Sequence, residues 1–121
     1  MILDIHSHII PHVDDGSPDL NESIKLIKYS VASGVTDIIC TPHYIPGRFT
    51  IDLDVLKQEF KTLEEECTHQ GISVNLYLGQ EIYISTFQDV CELFARGCLL
   101  SLNNSKFCLI LADTFSVNAL T

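Results

Sequence analysis

Tryptophan is absent from this chain, methionine occurs once, and lysine and arginine together number only 7 against 16 acidic residues. The formal net charge is −9. Binding to a phosphate backbone runs on Lys/Arg contacts and counterion release, so the balance argues against nucleic acid and against an anionic membrane surface as partners. No apolar run approaches the roughly 18 residues of a membrane span, so no membrane insertion is expected. Near the start, Asp4, His6 and His8 interrupt the apolar stretch and no Lys or Arg precedes it. That is not the pattern of a secretory signal, and a cytoplasmic protein is expected. The cysteines (Cys40, Cys67, Cys91, Cys98 and Cys108) are odd in number and form no C-x-x-C pair. They read as small buried hydrophobes in a reducing compartment. Cys40, beside Thr41-Pro42-His43, is the sharpest candidate for a nucleophile, but no Gly-rich loop with an arginine follows it.

What is present is enough for a core. A chain of 121 residues, 46% hydrophobic, has the size and composition of one globular domain. Ile2–Ile5 is a short apolar run that can form a first strand. A turn at Asp14-Asp15-Gly16-Ser17-Pro18 leads into a helix with two possible starts: Ser17 as cap with Pro18 in the first turn, or Asp19 with Glu22 as a capping box. Leu20, Ile24, Ile27 and Val31 fall on one helical stripe and Gly34 is a natural stop. Val35–Thr41 reads as a buried parallel strand, and Pro42–Thr50 as a loop. Asp52 can cap a second helix with the stripe Leu53, Leu56, Phe60, Leu63 and Cys67, stopped by Gly71. Ile72–Leu78 is a third strand, and Glu81–Ile84 extends it or begins a loop. A third helix carries Phe87, Val90, Cys91 and Phe94, and Lys106–Leu111 is a fourth strand. This β-α alternation predicts an α/β fold with parallel strands and helical crossovers, either an open doubly wound sheet or part of a β/α barrel.

In such folds chemistry gathers at the carboxyl ends of the strands. There this chain places His6, His8, Asp14 and Asp15 after the first strand, His43 after the second, Glu81 after the third and Asp113 after the fourth. In extended backbone the side chains at i and i+2 share a face, so His6 and His8 can grip one ion. Imidazole suits Zn, Mn, Fe or Ni, and added carboxylates favour Mn or Mg. Asp14 fits a strand- or helix-capping role, which is also open to Asp15. Arg48, in the Pro46-Gly47-Arg48-Phe49 loop on this side, is a candidate contact for an anionic substrate. His12 is either a plain loop histidine or an outer group of the site. His69 and Glu64-Glu65-Glu66 read as solvated, and Arg96 as a response to a helix dipole.

Asp4-Ile5-His6-Ser7-His8-Ile9-Ile10-Pro11 with Val13-Asp14-Asp15-Gly16-Ser17 resembles the opening of the PHP (polymerase and histidinol phosphatase) superfamily. Within it, the sequence is most similar to the metal-dependent tyrosine-protein phosphatases of bacterial capsule and exopolysaccharide operons. The resemblance continues through Thr41-Pro42-His43, Gly79-Gln80-Glu81-Ile82-Tyr83 and Leu102-Asn103-Asn104-Ser105. It implies the N-terminal half of a PHP-type (β/α)7 TIM-like barrel. It further implies a cluster of two or three ions, most commonly Mn2+ with Fe, Zn or Mg as alternatives, held by His6, His8, Asp15, His43 and a bridging Glu81. The implied substrate is a phosphotyrosine protein, notably a tyrosine autokinase controlling polysaccharide export. Two departures stand out. The family's further glutamate falls on Leu111, with Asp113 two positions on as a possible substitute. The second half of the barrel has no counterpart, so 1–121 is expected to be one partial PHP domain: a truncated protein, an excised fragment or an interrupted gene product. A half barrel with open edges would self-associate or accept a separate second half. A catalytically incomplete binding module and a histidinol-phosphate-like phosphoesterase are the competing readings.

Overall fold

The computed structural model of the chain describes residues 1–84 and 87–112. Its elements run β1 (Leu3–Asp4), α1 (Leu20–Ala32), β2 (Asp37–Cys40), β3 (His43–Tyr44), α2 (Leu53–His69), β4 (Asn75–Leu78), β5 (Glu81–Ile84), α3 (Phe87–Ala95), a single 3-10 turn (Leu102–Asn104) and β6 (Leu109–Ala112). Every strand pairing among these elements is parallel, in the orders β1-β2-β4 and β3-β5-β6.

The helices begin and face as their sequences dictate. The Asp19 carboxylate accepts from the Glu22 amide at 2.8 Å, and Asp52 accepts from the Asp54 amide at 2.8 Å. Each satisfies a donor that a free helix end would leave unpaired. Ser17 is not the cap. It is buried, and its hydroxyl donates to the Asp19 carbonyl at 2.9 Å and lies 2.6 Å from that of Ser23. Ile24, Ile27, Leu56, Leu63 and Cys67 are buried with Ile38 and Cys40 of β2, and Leu20, Val31, Leu53 and Phe60 pack around them. Of the expected α3 stripe, Val90 is buried and Phe94 packs beside it together with Leu93, while Cys91 faces solvent and the Phe87 side chain lies outside the described residues. Cys108 is exposed as well, so only Cys40 and Cys67 are fully buried small hydrophobes. Burial pushes the Cys40 thiol far above its ordinary range, which removes it as a nucleophile.

The sheet differs from the expected four strands. Glu81–Ile84 neither prolongs β4 nor starts a loop; it is β5 in a second sheet, and the expected loop Pro42–Thr50 contains β3. Yet the register is unbroken: Asp37 pairs with Asn75, Cys40 with Leu78, His43 with Glu81 and Tyr44 with Ile82, always 38 positions apart. The ladder is interrupted at Thr41-Pro42 and Gly79-Gln80, because proline has no N–H to donate. The Thr41 amide donates to Ser7 at 2.8 Å, and the Glu81 amide reaches the Pro42 carbonyl at 2.9 Å. Gly79 is needed there: a Cβ would lie 2.8 Å from the Leu102 side chain and 3.2 Å from its Cα. Strand neighbours follow chain order throughout, without the reversal that marks a doubly wound sheet.

At the amino end of β2, Asp37 is buried and accepts from Thr36 Oγ1 (2.6 Å), Asn75 Nδ2 (3.1 Å) and Tyr77 OH (3.2 Å). These donors, Thr36 first, hold its carboxyl below the usual carboxylate range, and the bond to Asp37 raises the Tyr77 phenol. A lowered folded-state pKa stabilises above the unfolded value of about 3.9 and is lost as pH falls through the folded one. Urea midpoints at pH 7 and pH 3 should therefore show Asp37→Asn clearly less stable than wild type at the higher pH, with the gap narrowing at the lower. A gap independent of pH would contradict this role.

Candidate metal centre

The site is assembled at the interruption of the ladder. After β1, Ser7 is clamped on the end of β2: its hydroxyl donates to the Ile39 carbonyl (3.0 Å) and its amide to Thr41 Oγ1 (3.0 Å). With the middle residue held, His6 and His8 project together, and their Nε2 atoms are 3.2 Å apart. Two donors each about 2.0–2.1 Å from one ion have that spacing at an angle of roughly 100°.

The chain then loops back on His8. The Ser17 amide donates to the His8 carbonyl at 3.1 Å. A Cβ on Gly16 would lie 2.4 Å from that carbonyl oxygen and 2.6 Å from the His8 Cβ. This tight return buries the Asp14 side chain completely. Asp14 Oδ1 accepts from the Gly16 amide (2.9 Å), and Oδ2 accepts from the His43 amide (3.0 Å) and meets His8 Nδ1 at 3.0 Å. A carboxylate can only accept here, so the His8 proton sits on Nδ1 and its Nε2 lone pair faces the cluster.

That lone pair looks towards Glu81 Oε1, 3.7 Å away. Glu81 is buried, its other oxygen touches His6 Nε2, and Oε1 is 2.8 Å from His43 Nδ1. The His43 Nδ1 is itself buried and makes no properly aligned hydrogen bond. The His43 ring stacks on His8 (4.3 Å between centroids, 28°) and on Phe49 (5.9 Å, 14°). The centre is thus a buried carboxylate facing imidazole nitrogens, with a lone pair directed at a lone pair and a buried nitrogen lacking a partner. Gathered nitrogen and carboxylate donors of this kind fit a divalent metal. Two sets have their donor atoms within 4.8 Å of one another: His6, His8 and Glu81, and His8, Asp14 and His43.

The structure therefore brings together His6, His8, His43 and Glu81 of the expected ligands. Asp15 stands at the rim, half exposed, with Oδ1 3.6 Å from His43 Nε2 and Oδ2 3.7 Å from Arg48 Nη2. Asp113 lies outside the described residues. Asp14, expected only to cap, turns out to tie His8, the loop and β3 together. The sequence signal was the Asp14-Asp15 pair itself, but neighbouring residues of one type give no clue to which faces inward. His12 joins none of this: it faces Glu59 of α2 at 3.4 Å. Leu111 pairs with Tyr83 across β5 and β6.

The family profile for capsular polysaccharide synthesis, CpsB/CapC, matches residues 2–117. The chain belongs to the CpsB/CapC family. It is 34% identical over 109 residues to the tyrosine-protein phosphatase YwqE of Bacillus subtilis (strain 168), covering 90% of this chain and 42% of YwqE. It is 35% identical over 109 residues to the tyrosine-protein phosphatase CpsB of Streptococcus agalactiae serotype V, covering 90% and 44%. A solved chain from the crystal structures of YwqE from Bacillus subtilis and CpsB from Streptococcus pneumoniae, described as unique metal-dependent tyrosine phosphatases, superposes with a TM-score of 0.85 at 33% identity. That match takes in 93% of this chain and 44% of the other. This CpsB/CapC chain thus spans less than half the length of these relatives. Among its described residues no helix is long and apolar enough to cross a membrane.

Proposed function

We propose that this chain carries the metal-binding part of a phosphatase that hydrolyses phosphotyrosine on proteins. The observation that carries the reading is the buried Glu81 carboxylate facing His6, His8 and His43. The strands in chain order support a segment of a PHP-type barrel, with 1–121 as one part of that domain. His6, His8, Asp15, His43 and Glu81 would hold the metal, with Glu81 as bridging carboxylate and Asp113 as a further candidate. Mn2+ is the expected ion, with Fe, Zn or Mg as alternatives. When bound, a cluster of such ions supplies polarisation of the phosphoryl oxygens and a hydroxide nucleophile near neutral pH. The chain's own groups do the rest. Asp14 keeps the His8 proton on the outer nitrogen, the stacked rings hold His43, and Arg48 at the rim would meet the phosphoryl dianion. Bound cations would offset the net charge of −9 locally, so that a phosphate ester would not be repelled.

The partner would be a bacterial tyrosine kinase of polysaccharide synthesis, and the setting cytoplasmic. A catalytically incomplete binding module, completed by self-association or by a separate second half, is the other reading. It is favoured by Leu111 at the position where the family resemblance places a glutamate. The test is phosphate release from a phosphotyrosine peptide and from histidinol phosphate in Mn2+, with light scattering on the same sample. Peptide turnover abolished by chelation supports the phosphatase. Metal binding without turnover supports the incomplete module. Preferential turnover of histidinol phosphate overturns the protein substrate.

A further inference from the structure

The segment after β3 is a small hairpin set over the metal centre. Ile45 and Phe49 exchange backbone hydrogen bonds, each 2.8 Å, and the Arg48 amide donates to the Ile45 carbonyl at 2.9 Å. Between them Pro46 presets its φ, and Gly47 has φ +79° with open space around it. This is the Pro-Gly signature of a type II turn, whose third residue needs a positive φ. The hairpin is therefore shaped by its own sequence, and two side chains leave it side by side. Phe49, half-buried, lies 5.9 Å from the His43 ring at 14°. Arg48 Cζ is 5.0 Å from the centroid of the Phe49 ring, with Nη2 directed at Asp15. Among the described residues, Phe49 is the only carbocyclic ring stacked on a histidine of the centre.

From this placement we infer that Phe49 is a specificity-determining residue that selects aryl over alkyl phosphoesters. The inference rests on the phosphoester reading above. In an aryl ester one bridging oxygen separates phosphorus from the ring. With the phosphoryl group at His6, His8, His43 and Glu81, a ring directed to the hairpin side would lie against the rim that Phe49 and Arg48 form. Aromatic pairs attract in offset or edge-on arrangements with centroids about 4.5–7 Å apart, an attraction an alkyl group does not supply. Arg48 would engage the charge that all phosphoesters share, and Phe49 would read the group that distinguishes them.

The test is calorimetric titration of the Mn2+-loaded 121-residue chain with phenylphosphonate and methylphosphonate, which are not hydrolysed. Wild type, Phe49→Leu and Phe49→Tyr are compared. Wild type should prefer phenylphosphonate, and Phe49→Leu should weaken that ligand by about three- to tenfold, with methylphosphonate unchanged and Phe49→Tyr retaining the preference. Equal weakening of both ligands in Phe49→Leu would mean that Phe49 only supports His43, and overturns the assignment. So does an absence of any phenyl preference in wild type. If neither phosphonate binds the wild-type chain, the metal–phosphoester reading falls, and this inference with it.

Discussion

His8→Ala is expected to lower the affinity of the chain for Mn2+ or Zn2+ by about a hundredfold or more, beyond the range seen for groups that only support ligands. His8 belongs to both donor sets of the centre. Its Nε2 stands 3.2 Å from that of His6 and 3.7 Å from Glu81, its ring stacks on His43, and its Nδ1 is held by Asp14. Removing it takes away one nitrogen donor and leaves a second, His43, without its packing partner. The same change relieves the lone pairs crowded on Glu81, so folding should suffer little without metal. Competition titration against a chromophoric chelator measures the loss. His69→Ala is the control, because His69 is exposed in the last turn of α2 and far in sequence from the centre. An affinity for His8→Ala close to that of the control would remove His8 from the ligand set.

Asp14→Ala should weaken metal binding by about 10–100-fold although Asp14 need not touch the ion. Its carboxylate orders three pieces of chain at once, accepting from the Gly16 and His43 amides and holding His8 Nδ1. Alanine leaves the His43 amide without its acceptor and frees the His8 proton to move to the inner nitrogen, where it blocks coordination. The unsatisfied donor adds a stability loss of about 1–3 kcal/mol. Asp14→Asn separates the two effects. An amide oxygen can still accept from one amide, so much of the stability should return, while the lost charge holds the His8 proton less firmly and metal affinity stays reduced. Urea unfolding without metal and chelator competition with it would measure the two independently. Normal affinity in both variants would return Asp14 to a capping role.

Much of this architecture is legible residue by residue. The Leu20-Ile24-Ile27-Val31 and Leu56-Leu63-Cys67 stripes, their aspartate caps and the apolar run ending at Cys40 specify α1, α2 and β2, because helical period, capping and burial are local properties. The i, i+2 spacing of His6 and His8 likewise foretells a shared face. Other features depend on partners distant in sequence. Glu81 heads a separate strand because Thr41-Pro42 and Gly79-Gln80 interrupt two paired strands at matching register, and a pairing register cannot be seen within one segment.

By itself, the sequence determined that this is a parallel α/β chain of the CpsB/CapC family with histidines and carboxylates at its strand ends. Only the tertiary structure decided which of them meet. It turned Asp14 inward and left Asp15 at the rim, gave the buried Glu81 three imidazole neighbours, and set Phe49 on His43. The physical reason is that local pattern fixes the face on which a side chain stands. Its neighbours across the fold are fixed by backbone hydrogen bonds such as Ser17 to His8 and Thr41 to Ser7, whose ends lie 9 and 34 residues apart.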